Sequence, residues 1–262
     1  MTADNALLDA WEAGKTTFGS WIGIPSSVSA EIVASQGYDY ACIDIQHGVV
    51  DYTDAVPMMQ AIEGQGVAPV VRVPANDAWA IMKYLDAGAR AVVIPMVNDA
   101  DEAAAAVSAF KYPPRGSRSF GPLRAGTVMG SQNVDDLERV ATIVMVETAR
   151  GLENLEAIAA TPGVDAIYVG PADLALAVGL PPGFDREEPE HSEAIDRILK
   201  ACKNNGIVAG IQCNDGTLAA RRVAQGFQMV TVANEAALLK SAAARELQVA
   251  RGDASAGGIG AY

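Results

Sequence analysis

Five residues of this chain have the side chains that proton transfer and metal chelation need: Asp44, His47, Arg72, Glu147 and Asp173. The run Tyr40-Ala41-Cys42-Ile43 drives into Asp44, and His47 follows just before Gly48, where the backbone can turn sharply. At that spacing a carboxylate can hold an imidazole in one tautomer and raise its basicity. The alternative is a strand-end histidine with structural bonds only. Pro69-Val70-Val71 leads to Arg72, a cation expensive to bury unless an anion meets it. A structural bridge is again the alternative. Ile143-Val144-Met145-Val146 ends on Glu147, and Asp173 follows the turn Gly170-Pro171-Ala172. Taken singly, both acids read as complements to a helix N-terminus.

Convergence of all five on one rim favours chemistry. Two carboxylates without a Cys/His set suit a hard divalent ion such as Mg²⁺ or Mn²⁺, partly hydrated and open to a chelating substrate. An arginine beside it suits negative charge developing on oxygen. A His–Asp pair suits proton transfer near neutral pH.

That rim depends on the elements that carry it. Apolar runs predict strands over Thr17–Gly23, Asp39–Ile45, Ala68–Val73, Ala91–Met96, Ala141–Glu147, Ala166–Gly170, Ile207–Gln212 and Phe227–Val232. Each is trailed by a helical segment, the longest over Glu190–Asn204 and Glu235–Leu247. Continuous apolar strands alternating with helices predict an α/β fold, a single-domain (β/α)8 barrel. A doubly wound open sheet is the runner-up, weakened by the absence of GxGxxG or a P-loop after the first strand. In a barrel the chemistry collects where the strands end.

At 262 residues the chain suits one such barrel, and its formal net charge of −13 argues against nucleic acid or an anionic membrane as partner. Residues 1–20 lack a signal-like apolar region, and no run approaches the ~20 residues needed to span a bilayer. A soluble cytoplasmic protein is expected. Cys42, Cys202 and Cys213 show no zinc or CxxC spacing and read as small core residues. None of the six lysines falls inside a predicted strand, which argues against imine chemistry. The basic loop Lys111–Arg124, with Arg115, Arg118 and Arg124, reads either as a surface for an anionic substrate or neighbouring subunit, or as solvated charge. The Gly- and Ala-rich tail from Arg251 to Tyr262 is expected to be loosely held.

From about Gly19 to Tyr262 the chain resembles the HpcH/HpaI aldolases, metal-dependent pyruvate aldolases of the 2,4-dihydroxyhept-2-enedioate and 2-keto-3-deoxy-sugar-acid type. The markers are Gly19-Ser20-Trp21-Ile22-Gly23, Ile43-Asp44 with His47, Val70-Val71-Arg72, Ile94-Pro95-Met96-Val97, Tyr112-Pro113-Pro114, Glu147-Thr148 and Gly170-Pro171-Ala172-Asp173-Leu174. The resemblance implies a carbon–carbon lyase that releases pyruvate and an aldehyde from 2-keto-4-hydroxy acids. It also implies a pyruvate-type barrel, usually a homohexamer exchanging its last helix between paired subunits. By the same resemblance Glu147 and Asp173 hold Mg²⁺, Mn²⁺ or Co²⁺, and Arg72 stabilises the enolate oxygen. His47, oriented by Asp44, moves the proton. The backbone of Gly170, Pro171, Ala172 and Asp173 receives the pyruvate carboxylate; Trp21 lines the pocket, and Gln212 lies near the aldehyde. Three positions depart from the family pattern: Gln46 where Glu commonly precedes the histidine, Met145 where some members carry Gln, and Gln212 where the residue is often apolar. A malyl-CoA-type lyase, a macrophomate-synthase-like decarboxylase and a keto-acid-binding barrel without catalysis are the alternative readings.

Overall fold

Eight strands form a closed parallel barrel in simple sequence order, β1 Thr17–Ile22, β2 Tyr40–Asp44, β3 Ala68–Arg72, β4 Ala91–Ile94, β5 Ala141–Met145, β6 Ala166–Val169, β7 Val208–Gln212 and β8 Met229–Asn234. They come from a computed structural model that describes residues 5–252. The expected tail therefore lies, from residue 253 onward, outside the described residues. The runner-up open sheet is excluded, because β1 pairs with both β2 and β8.

Period-two alternation sorts each strand into two faces. Ala41, Ile43, Val71, Val92, Val144 and Ile167 pack outward against the helices. Tyr40, Cys42, Val70, Val93, Ile143, Met145, Tyr168 and Met229 fill the interior with Trp21. Large and small residues interlock there. Tyr40 faces its register partner Gly19, where a Cβ would lie 2.2 Å from the ring. Tyr168 faces Gly210 in the same way, at 2.6 Å. Both phenols share the Thr231 hydroxyl, at 2.9 and 2.6 Å, so the polar atoms this packing buries are satisfied. Continuing each inward series toward the strands' C-terminal ends reaches Asp44, Arg72, Glu147, Gly170 and Gln212.

The first six strands stop one or two residues short of the predicted ends, whereas β7 ends at Gln212 as predicted and β8 runs two residues beyond, to Asn234. At β4 the cause is Met96, whose φ of 57° leaves the extended region. The segment expected as an open loop after Phe110 contains short helices over Leu123–Val128 and Val134–Leu137. Among the described residues no lysine lies in a strand. All three cysteines are free and buried; burial pushes the Cys42 thiol up, and holds Cys202 and Cys213 at about 12, so none offers a thiolate near neutral pH. Among the described residues no helix is long and apolar enough to cross a membrane.

Candidate active site

Asp44 and Arg72 close two neighbouring strands and stand directly opposite each other in the β2–β3 register. The pair is buried and bidentate: Nε donates to Oδ1 at 2.9 Å and Nη2 to Oδ2 at 2.6 Å. The guanidinium also lies over the Trp21 ring, 4.2 Å from its centroid, and Trp21 in turn packs on Tyr168. Arg72 is thus gripped on one edge and one face. Among the described residues its remaining nitrogen, Nη1, meets only the Met145 sulfur at 4.0 Å, a weak acceptor, and so keeps hydrogen-bonding capacity.

This geometry corrects the expected Asp44–His47 pairing. Oδ1 of Asp44 accepts the backbone N–H groups of Gln46 and His47, at 3.1 and 3.2 Å, and binds no part of the imidazole. The carboxylate shapes the turn after β2 and holds Arg72. His47 stands exposed in that turn, its ring without a side-chain hydrogen bond to the described residues.

Glu147 follows β5 and is 2 % exposed. Oε1 accepts the Met96 N–H at 3.0 Å, a bond aimed by the positive φ that ends β4. A non-glycine residue in that region costs about 1–3 kcal/mol and persists only where its surroundings impose it. Oε2 is buried with no partner among the described residues. Burial pushes the Glu147 carboxyl up to about 7; the Met96 N–H and Arg72 oppose the rise, and Asp173 adds to it. Asp173 lies half-buried in the first turn of the helix Pro171–Ala177, which Gly170 caps. Gly170 is required by space alone, since its φ is −93° and a Cβ there would lie 2.2 Å from Glu147 Oε2.

Trp21 is buried with its Nε1 unpartnered among the described residues, and Gln212 ends β7 half-buried. The buried Oε1 of Gln46 is likewise unpartnered. The arginines of the basic loop are ion-paired with carboxylates other than those of this mouth. Arg115 pairs with Asp135 and Glu138, Arg118 is buried under Tyr112 against Asp86, and Arg124 pairs with Glu63. Arg118 and Arg124 thereby tie the loop to the helices Ala78–Asp86 and Tyr52–Gly64. A hollow of about 340 Å³ beside Met96, lined also by Pro95 and Asn98, opens on the same rim. A larger one of about 640 Å³ lies at the barrel's other end, beside Trp11 and Val208, away from every residue above. The strand-end rim is the more credible place for chemistry, because that is where βα loops gather.

The HpcH/HpaI aldolase/citrate lyase family model matches residues 17–242. The chain belongs to that family. It is 39 % identical over 248 residues to the hydroxypyruvate/pyruvate aldolase of Rhizorhabdus wittichii, covering 94 % of this chain and 99 % of that one. It is 37 % identical to the 2-dehydro-3,6-dideoxy-6-sulfogluconate aldolase of Pseudomonas putida, over 88 % of this chain and 91 % of the relative. The crystal structure of an HpcH/HpaI aldolase/citrate lyase family protein from Burkholderia cenocepacia J2315 superposes with a TM-score of 0.88 at 35 % identity, covering 95 % of this chain and all of that one. This HpcH/HpaI family member is accordingly an enzyme, a carbon–carbon lyase of the aldolase type.

Among the described residues no group of three or more His, Cys, Asp or Glu side chains is arranged to hold a metal. The Glu147–Asp173 set nonetheless fits a hard divalent ion, which commonly takes one or two carboxylates and keeps several waters. The unpartnered Oε2, held in the mouth of this HpcH/HpaI aldolase, is the atom such an ion would satisfy. Gly170→Ala tests the fit: its methyl would push Oε2 aside without straining the backbone. The variant is expected to fold and to bind Mn²⁺ on the order of tenfold or more weakly, read by calorimetric titration. Undiminished affinity would separate Glu147 from metal binding.

Proposed function

We propose that this aldolase cleaves 2-keto-4-hydroxy acids reversibly to pyruvate and an aldehyde, with a divalent ion held by Glu147 and Asp173. The observation that carries the reading is a carboxylate buried at the barrel mouth with one oxygen unpartnered, near a second carboxylate and a fixed arginine. Mg²⁺, Mn²⁺ or Co²⁺ bound there would withdraw electrons from the keto group. Arg72 Nη1 stabilises the negative charge that grows on the enolate oxygen as the C3–C4 bond breaks, and Asp44 keeps that donor from swinging away. His47 takes the C4 hydroxyl proton, through a water, as the aldehyde leaves; a proton returned to C3 completes pyruvate. The first-turn N–H groups of Ala172 and Asp173, behind Gly170 and Pro171, receive the pyruvate carboxylate. Trp21 walls the pyruvate side, and Gln212 at the end of β7 faces the aldehyde.

The same reading takes the protein as a cytoplasmic homohexamer. Leu238, Leu239 and Leu247, exposed on the last helix Glu235–Ala250, support its burial against another subunit. Two measurements test the chemistry: pyruvate release from 4-hydroxy-2-keto acids, and exchange of pyruvate methyl protons into D₂O. Both are expected to vanish with EDTA and to return with one of the three metals. Failure of both under every metal would leave a keto-acid binder.

A further inference from the structure

The chain's second histidine, His191, plays no part in the chemistry above. It lies in the first turn of the helix Pro189–Asn205 and is completely buried. Its Nε2 is 2.9 Å from the carbonyl oxygen of Pro171. A carbonyl only accepts, so Nε2 carries the hydrogen and donates. Nδ1 is buried with no partner among the described residues. The ring is therefore committed to this one bond, despite the desolvation of its second nitrogen.

The bond falls where the site has least slack. Pro171 begins the helix that carries Asp173, and it has no N–H through which to be tied. Gly170, just before it, sits so close that a Cβ would strike Glu147 Oε2. Any shift of this turn changes the separation of the two carboxylates. We infer that His191 is a positioning residue for the metal-holding pair, setting Asp173 against Glu147 through the Pro171 carbonyl without touching ion or substrate. The inference rests on the proposal that Glu147 and Asp173 are the ligands.

Mn²⁺ titration of the purified protein tests it. His191→Leu removes the donor, and His191→Asn carries an amide too short to reach the carbonyl. Both are expected to weaken Mn²⁺ binding by about 10- to 100-fold, the range for groups that orient a metal's ligands. His191→Gln places an amide N–H near the position of Nε2 and is expected to restore affinity close to that of the unaltered protein. Amide exchange across 171–177 in the metal-free protein should quicken in the Leu and Asn variants and not in the Gln variant. If the Leu variant does not fold, the Asn–Gln comparison decides. Mn²⁺ binding by the Asn variant equal to that of the unaltered protein, or a Gln variant as weak as Asn, would overturn the inference. Glu147→Gln serves as control: if it binds Mn²⁺ unimpaired, the ligand assignment fails and takes the inference with it. If it does not, the His191 variants judge the inference alone.

Discussion

Replacing Arg72 by alanine is expected to lower kcat by about 10²- to 10³-fold, the effect of removing a donor aimed at a developing oxyanion, while Mn²⁺ affinity stays near that of the unaltered protein. The two readouts separate because Arg72 belongs to the Asp44 pair and the Trp21 face, whereas Oε1 of Glu147 is held by the Met96 backbone. Interactions that strengthen only as charge develops appear in kcat rather than in ground-state binding. The variant has a second consequence. It strands the Asp44 carboxylate in a buried site, and breaking such a pair from one side costs about 3–5 kcal/mol. Kinetics must therefore be taken well below the variant's Tm. Arg72→Lys is the useful companion, since it keeps a cation but cannot reproduce the fork that Asp44 grips. Turnover near the original in Arg72→Ala, with the protein folded, would remove the assigned role.

Glu147 should produce the other large effect, and its sign follows from burial. In the metal-free protein its carboxyl is pushed from the ordinary 4.5 to about 7. Between those values the folded protein holds a proton that the unfolded chain has lost. Stability of the metal-free protein should therefore fall as pH rises through this window and level off above about 7, by a total on the order of 3 kcal/mol. A divalent ion requires the carboxylate, so its apparent affinity should run the other way, dropping about tenfold for each pH unit below 7. Urea melts in EDTA and Mn²⁺ titrations across the same pH range read the two slopes. Glu147→Gln should flatten the first and abolish the second. A stability profile unchanged by that substitution would mean that the carboxyl titrates normally.

The barrel is legible in the sequence because most of the buried strands are short apolar runs rich in Val, Ile and Ala. The rim is legible for the same reason: Asp44, Arg72 and Glu147 are the first charges to follow such a stretch. Register is a different matter. Asp44 and His47 look paired because they are near in sequence, whereas the true partner of Asp44 lies 28 residues away on the next strand. Local spacing carries no trace of that alignment. The Met96 contact is hidden likewise, since nothing in Ile94-Pro95-Met96-Val97 marks a positive φ or a glutamate 51 residues downstream. His191 sits in a helix-opening stretch rich in acids, Glu187-Glu188-Pro189-Glu190, where a histidine reads as one more surface residue. The loop arginines carried charge that looked available, but their counter-ions come from three separate segments of the chain.

The opposition of Asp44 and Arg72 across neighbouring strands bears on how such an enzyme can diversify. The cation is fastened by the barrel wall and by the turn after β2 that binds the Asp44 carboxylate, so the segment that follows β3 has no share in holding it. That segment can lengthen, shorten or change polarity to admit a new aldehyde while the group that meets the enolate stays in register. Acceptor choice and bond-breaking power are thereby inherited separately, and selection can reshape one without eroding the other.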